Sequence, residues 1–114
     1  VGCANGHDLA QQALPALTGA GIKTRLIGMR WLSPLPADAL IAATAGCKNV
    51  LIVDETRHSG GVAEALMALF AERSPARLAR LPAADSFIAT GPAYAVTMPS
   101  CEDIIVSAKA LVSK

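Results

Sequence analysis

Asn49-Val50-Leu51-Ile52-Val53-Asp54-Glu55-Thr56-Arg57-His58-Ser59-Gly60-Gly61 is the stretch that decides the fold. Val50 to Val53 are four apolar residues in succession, three of them β-branched. Such a run suits a central strand whose two faces are both covered by helices. Asp54-Glu55 then switches polarity abruptly, and the two glycines lead into a helical pattern with Val62, Leu66, Leu69 and Phe70 on one face.

The same alternation extends in both directions. Upstream, Val1-Gly2-Cys3-Ala4 reads as the end of a strand already under way, so a fragment of a longer polypeptide is expected. Asn5-Gly6 marks a turn, with Asn5 expected to cap a helix carrying Leu9, Ala13, Ala16, Leu17 and Ala20 at helical spacing. Pro15 should kink that helix, and Gly19 and Gly21 end it. A second strand is expected over Ile22 to Met29, then a tight turn from Arg30 to Leu35. Pro36 opens a helix from about Ala37 to Ala45, stopped by Gly46. Downstream, Arg77 to Leu81 is expected as an edge strand whose arginines discourage further pairing. Pro82 to Pro99 is turn-rich. Ser100 caps a last helix whose first turn holds Glu102 and Asp103, with Ile104, Ile105, Ala108, Leu111 and Val112 on its buried face. Strand-helix repeated four times implies right-handed crossovers. The expected fold is therefore one three-layer α/β/α domain over residues 1–114, with a mainly parallel sheet of about four strands.

Composition narrows the function. The formal net charge is +1 with scattered basic residues, so no nucleic-acid partner is expected. No apolar run approaches the roughly 18 residues that cross a bilayer, so no membrane partner is expected. Cys3, Cys47 and Cys101 are odd in number and widely separated, which suits packing thiols in a reducing cytoplasm. Zinc would need four ligands, with only His7 and His58 to join the thiols, and no metal site is expected.

In a parallel α/β sheet, ligands favour the crevice at the carboxyl ends of the strands. Three loops should meet there: Asn5-Gly6-His7, Arg30 to Leu35, and Asp54 to Gly61. Ser59-Gly60-Gly61 could offer amides to an anion, with Arg57 adding charge, but the stretch lacks G-x-G-x-x-G and the P-loop ending. Asp54 or Glu55 with His58 could form an acid–base pair and Ser59 a nucleophile, although no G-x-S-x-G elbow is present. Against both stands a helix-capping loop with solvated charges. Trp31 suits packing against a neighbouring domain or subunit, and Arg30 suits a partner's carboxylate or a surface ion pair. The candidate interface or crevice residues are Asn5, His7, Arg30, Trp31, Ser33, Pro34, Glu55, Arg57, His58, Ser59, Gly60 and Gly61.

Four motifs carry a family resemblance. Gly21-Ile22 through Ser33-Pro34-Leu35 resembles the second strand and turn of transketolase carboxy-terminal domains. Val50 to Glu64 resembles their central strand and glycine pair, Met98 to Ile105 their last helix start, and Gly2 to His7 their opening strand end. Asp85-Ser86-Phe87-Ile88 followed by Gly91-Pro92-Ala93 is similar to fused forms of the decarboxylating component of 2-oxo-acid dehydrogenases. Gly28 stands where the family usually has Asp, and Pro36 where Asp or Glu is common. The resemblance implies an assembly and dimerisation domain without catalytic or cofactor-binding residues of its own. Thiamine diphosphate and magnesium would be held by other domains of the parent enzyme. It implies as partners those domains, a second subunit and the lipoyl acyltransferase, with an additional family strand, antiparallel to the rest, preceding Val1. Transketolase and deoxyxylulose-phosphate synthase are the alternatives within the family, and an anion-binding module is the alternative outside it.

Overall fold

Val50 and Ile52 point to one face of their strand and Leu51 and Val53 to the other, so each face needs its own helix layer. A computed structural model, which describes residues 1–114, shows how this is met. The elements are β1 (Gly2–Cys3), α1 (Ala4–Gly19), β2 (Gly28–Met29), α2 (Ala37–Ala43), β3 (Asn49–Arg57), α3 (Val62–Arg73), β4 (Arg77–Ala83), a 3₁₀ turn (Gly91–Val96) and α4 (Cys101–Ser113). All strands are parallel, in the order β2-β1-β3-β4. The expected three-layer architecture is present.

Met29, Leu40, Val50, Ile52, Ala63, Leu66 and Phe70 pack together between the sheet and the α2–α3 layer. Ala13, Leu17, Val53 and Ile104 form the smaller core beneath α1 and α4, with half-buried Leu51 and Leu81 against them. The terminal helix begins as expected. The Ser100 hydroxyl accepts from the Asp103 amide at 3.1 Å, and the Asp103 carboxylate accepts from the Ser100 amide at 2.9 Å.

Several boundaries differ from expectation. Asn5 does not cap α1, because the helix already starts at Ala4, whose φ of 45° turns the chain directly out of β1. That left-handed conformation is costly for a residue with a Cβ and is held by the close approach of Gly2 and Gly6 to neighbouring backbone. Pro15 lies inside a helix that runs unbroken from Ala4 to Gly19. The second strand is shorter than expected, paired at Gly28–Met29 opposite Gly2–Cys3. α2 stops at Ala43, with Gly46 in the left-handed region just beyond. β3 runs on through Asp54 and Glu55 to Arg57, its register with β4 shifting between Val53 and Arg57. Val112 is exposed rather than buried.

Phe70 is fully buried in the larger core, where no partner can collapse to fill its volume. Phe70→Ala should destabilise the fold by about 3–5 kcal/mol, measured by urea denaturation.

Candidate functional site

The carboxyl ends of β1, β2 and β3 bring the three expected loops to one end of the sheet, and the site is organised from Asp54. This carboxylate is 2% exposed. It accepts the Thr56 amide at 2.9 Å, the Thr56 hydroxyl at 2.6 Å and the Ala63 amide at 2.8 Å. It thereby closes the turn after β3 and satisfies a free amide in the first turn of α3, where the helix dipole favours negative charge. Gly61 is required there. A Cβ would collide with the Thr56 hydroxyl and lie 2.8 Å from the Arg57 carbonyl oxygen.

The rest of this loop is also internally bonded. Ser59 donates its amide (2.8 Å) and its hydroxyl (2.6 Å) to the carboxylate of Asp85. The Gly60 amide donates to Glu64 at 2.9 Å. Arg80 donates to the His58 carbonyl at 2.8 Å, and its guanidinium stands 3.2 Å from the His58 ring. Those Ser59 hydrogen bonds hold the Asp85 carboxyl below its usual range. Two of the three amides that an anion would use, those of Ser59 and Gly60, therefore already serve Asp85 and Glu64. The Ser59 hydroxyl serves Asp85 rather than His58, so the serine–histidine reading has no geometry behind it.

Across the crevice, the Asn5 side-chain amide donates to Glu55 at 2.6 Å, joining the start of α1 to the end of β3. His7 is half-buried, with its Nδ1 3.7 Å from Asp8. Its ring covers Gly28, where a Cβ would lie 2.8 Å from the imidazole. The expected family Asp is thus replaced by a glycine that makes room for His7. Gly2-Cys3-Ala4-Asn5-Gly6 has the spacing of a nucleophile elbow, but its central residue is Ala4, which brings no hydroxyl. Burial, then the carboxylates of Asp54 and Glu55, push the Cys3 thiol up, so it stays protonated at neutral pH.

The remaining candidates face outward. Arg30, Trp31, Ser33 and Pro34 are exposed on the loop after β2, with a cis peptide bond between Ser33 and Pro34. Trp31 is 64% exposed, and Leu32 beside it is exposed as well. Arg57 is exposed at the end of β3. After β4, Phe87 is 98% exposed, accompanied by Ile88, Tyr94 and Val96. Sequence reasoning missed Asp85, Arg80 and Glu64 as organisers of the loop. Asp85 and Arg80 lie 26 and 22 residues from their partners, beyond any local pattern.

The sequence matches the family model described as Transketolase, C-terminal domain, over residues 1–104. The chain belongs to that family. As a transketolase carboxy-terminal domain it is similar to the pyruvate dehydrogenase E1 component subunit beta of Staphylococcus epidermidis, 30% identical over 109 residues. That match covers 90% of this chain and 34% of the relative. It is also similar to the 1-deoxy-D-xylulose-5-phosphate synthase of Dehalococcoides mccartyi, 31% identical over 85 residues, which are 72% of this chain and 13% of that one. The domain thus spans about a third of the first relative and a smaller part of the second.

Two outcomes follow for this end of the domain. Gly28→Ala should cost about 1–3 kcal/mol of stability by pressing on the His7 ring, and clearly less in a His7→Ala background, as a double-mutant cycle of denaturation midpoints would show. Asp85 has a depressed folded-state pKa, so its contribution is present above the unfolded value of 3.8 and is lost as pH falls through the lower folded value. In an NMR titration, Ser59→Ala should raise the Asp85 midpoint towards 3.8, the ordinary value.

Proposed function

We propose that this chain is the carboxy-terminal assembly and dimerisation domain of a longer thiamine-diphosphate-dependent 2-oxo-acid dehydrogenase. That enzyme decarboxylates a 2-oxo acid and passes the acyl group to a lipoyl carrier, in the cytoplasm. The carrying observation is the contrast at the carboxyl end of the sheet. Its polar groups bond to one another, while Trp31, Leu32, Phe87, Ile88, Tyr94 and Val96 stand exposed around them. A small polar substrate would find few free donors there. A neighbouring polypeptide would find aromatic and aliphatic anchors of the kind that dominate binding energy at protein interfaces. The share of the relatives covered, 34% of the pyruvate dehydrogenase subunit, supports a chain that is one domain among several.

The residues present do not fit thiamine diphosphate and its magnesium. No group of three or more His, Cys, Asp and Glu side chains converges on a point. The Ser59 and Gly60 amides, the best diphosphate donors by position, serve Asp85 and Glu64. This supports the reading in which other domains of the parent enzyme hold the cofactor and metal. The lipoyl acyltransferase core, the other domains and a second subunit are the partners proposed for the exposed apolar surface.

The test uses the whole gene product, assayed for decarboxylation of pyruvate and branched 2-oxo acids with an artificial electron acceptor. Trp31→Ala and Phe87→Ser should weaken subunit association about tenfold or more in analytical ultracentrifugation, while changing the stability of the 114-residue chain by no more than about 0.5 kcal/mol. The chain alone should show no calorimetric binding of thiamine diphosphate with magnesium, and micromolar binding would overturn the assignment. Condensation of pyruvate with glyceraldehyde 3-phosphate by the gene product would transfer the reading to the synthase branch.

A further inference from the structure

A cavity of about 660 Å³ lies at the β4 edge of the sheet, the edge opposite β2. Its floor is the end of β4 and the entry to α4, where Ala83 and Pro99 are buried and Leu81 and Met98 half-buried. Asp85, Val96 and Asp103 line it from exposed positions, and His58 reaches it from the loop after β3. The walls are tied together. The Ala84 amide donates to the Thr97 carbonyl at 2.8 Å, and the Thr97 amide to the Tyr94 carbonyl at 3.1 Å. The paired bonds from Ser59 to Asp85 fix the side towards β3. The shape is thus set before anything enters, which lowers the ordering cost of an occupant.

The charge of this cavity is unbalanced within the chain. The ion pairs join His7 to Asp8, Arg73 to Asp38 and Arg80 to Glu64, so neither Asp85 nor Asp103 has one. Arg80 is taken up by the His58 carbonyl and Glu64, and Arg57 makes no ion pair. Hydrogen bonds from Ser59 and Ser100 hold the two carboxyl groups below their usual range, so both are ionised at neutral pH. Acceptor capacity is left over. The Ser100 amide (2.9 Å) and hydroxyl (2.6 Å) both donate to Oδ2 of Asp103, and its Oδ1 accepts nothing. The positive end of α4 is already met by Glu102 and Asp103 in its first turn.

We infer that this cavity is a docking site for a lysine side chain carried on an apolar segment of a neighbouring polypeptide. The ammonium faces the Asp85 and Asp103 carboxylates, and the methylene stem lies over Leu81, Val96 and Met98. Charge complementarity selects a cation, and the apolar wall suits a long aliphatic stem. Lysine fits better than arginine. Asp103 offers one free oxygen, and each Asp85 oxygen already accepts a Ser59 bond, so no carboxylate presents the open pair that a guanidinium fork grips. A polypeptide fits better than a free amine. Val96 is almost wholly exposed, as is Phe87 on the adjoining segment, and a small amine would leave both in water. The inference rests on the assembly reading above and deepens it, by naming what the partner presents at the edge opposite Trp31.

The 114-residue chain is titrated with acetyl-Ala-Leu-Lys-Leu-Ala-amide, with the same peptide carrying norleucine, arginine or glutamate at its centre, and with n-butylamine. Methyl signals of Leu81, Val96 and Met98 report binding by NMR, and those of the core residues Ile52 and Leu66 report that the chain is folded. The lysine peptide should bind about tenfold or more tightly than the norleucine one, the advantage of a charge-assisted hydrogen bond. The glutamate peptide should leave the signals unmoved. Asp103→Asn and Asp85→Asn, which keep the shape and remove a charge, should each shrink the difference between lysine and norleucine. Val96→Ser should weaken both peptides alike. Equal binding of the lysine and norleucine peptides would mark a merely apolar groove and overturn the inference. So would tighter binding of the arginine peptide, or butylamine binding as tightly as the lysine peptide. The titration reads neither catalysis nor subunit association. A gene product without 2-oxo-acid decarboxylation would refute the proposed function and leave this binding standing, whereas a lysine peptide that fails to bind the folded chain refutes the inference alone.

Discussion

A single buried carboxylate organises the functional end of this domain. Asp54 sits where the apolar β3 ends and is almost wholly removed from water. A charge in that position is tolerated only if the protein replaces its hydration. Thr56 and the first turn of α3 supply three donors within 3 Å. To deliver them the chain must reverse sharply, so Gly61 carries no side chain and Gly60 adopts a positive φ. With the turn closed, His58, Ser59 and Gly60 come within reach of Arg80, Asp85 and Glu64. The layout of the loop follows from one solvation requirement in the core.

That requirement explains the division between polar and apolar surface. Each polar group drawn into the network around Asp54 is lost as a ligand donor. The Ser59–Asp85 pair also ties the segment after β4 to the loop after β3, which brings Phe87 and Ile88 to the same end of the sheet as Trp31. Exposed apolar side chains around a rigid polar frame suit recognition of a folded neighbour, because little conformational entropy remains to be lost on contact.

Much of the fold was legible in the sequence because its signals are local. Four β-branched or aliphatic residues at Val50 to Val53, the capping pattern at Ser100 and Asp103, and the glycines at 46, 60 and 61 each act within a few residues. What was not legible depends on distant partners. β2 pairs with β1, a partner distant in sequence that Ile22 to Met29 could not disclose alone. The start of α1 at Ala4 needs a positive φ permitted by the packing of Gly2 and Gly6, so the turn signal at Asn5-Gly6 pointed one residue too late. At the site, the glycine pair and its polar loop were visible, but Asp85 was not, since nothing near it in sequence marks it as the partner of Ser59. His7 and Gly28 show the same limit. Each is unremarkable alone, and they are explained only by the ring that fills the missing Cβ.

The two halves of the sheet are unequal in a way that bears on how such a domain holds together. β3 and β4 pair over five consecutive positions from Asn49 to Val53, and the larger core joins Val50 and Ile52 of β3 to α3, Met29 of β2 and Leu40 of α2. β1 and β2 share only two paired positions. Their side of the crevice relies on Asn5 with Glu55, His7 over Gly28 and the Arg25 contact to α2. Cooperative stability follows buried apolar contact and continuous ladders, so local opening starts where both are sparse. The loop beyond β2 carries the exposed Trp31 and Leu32.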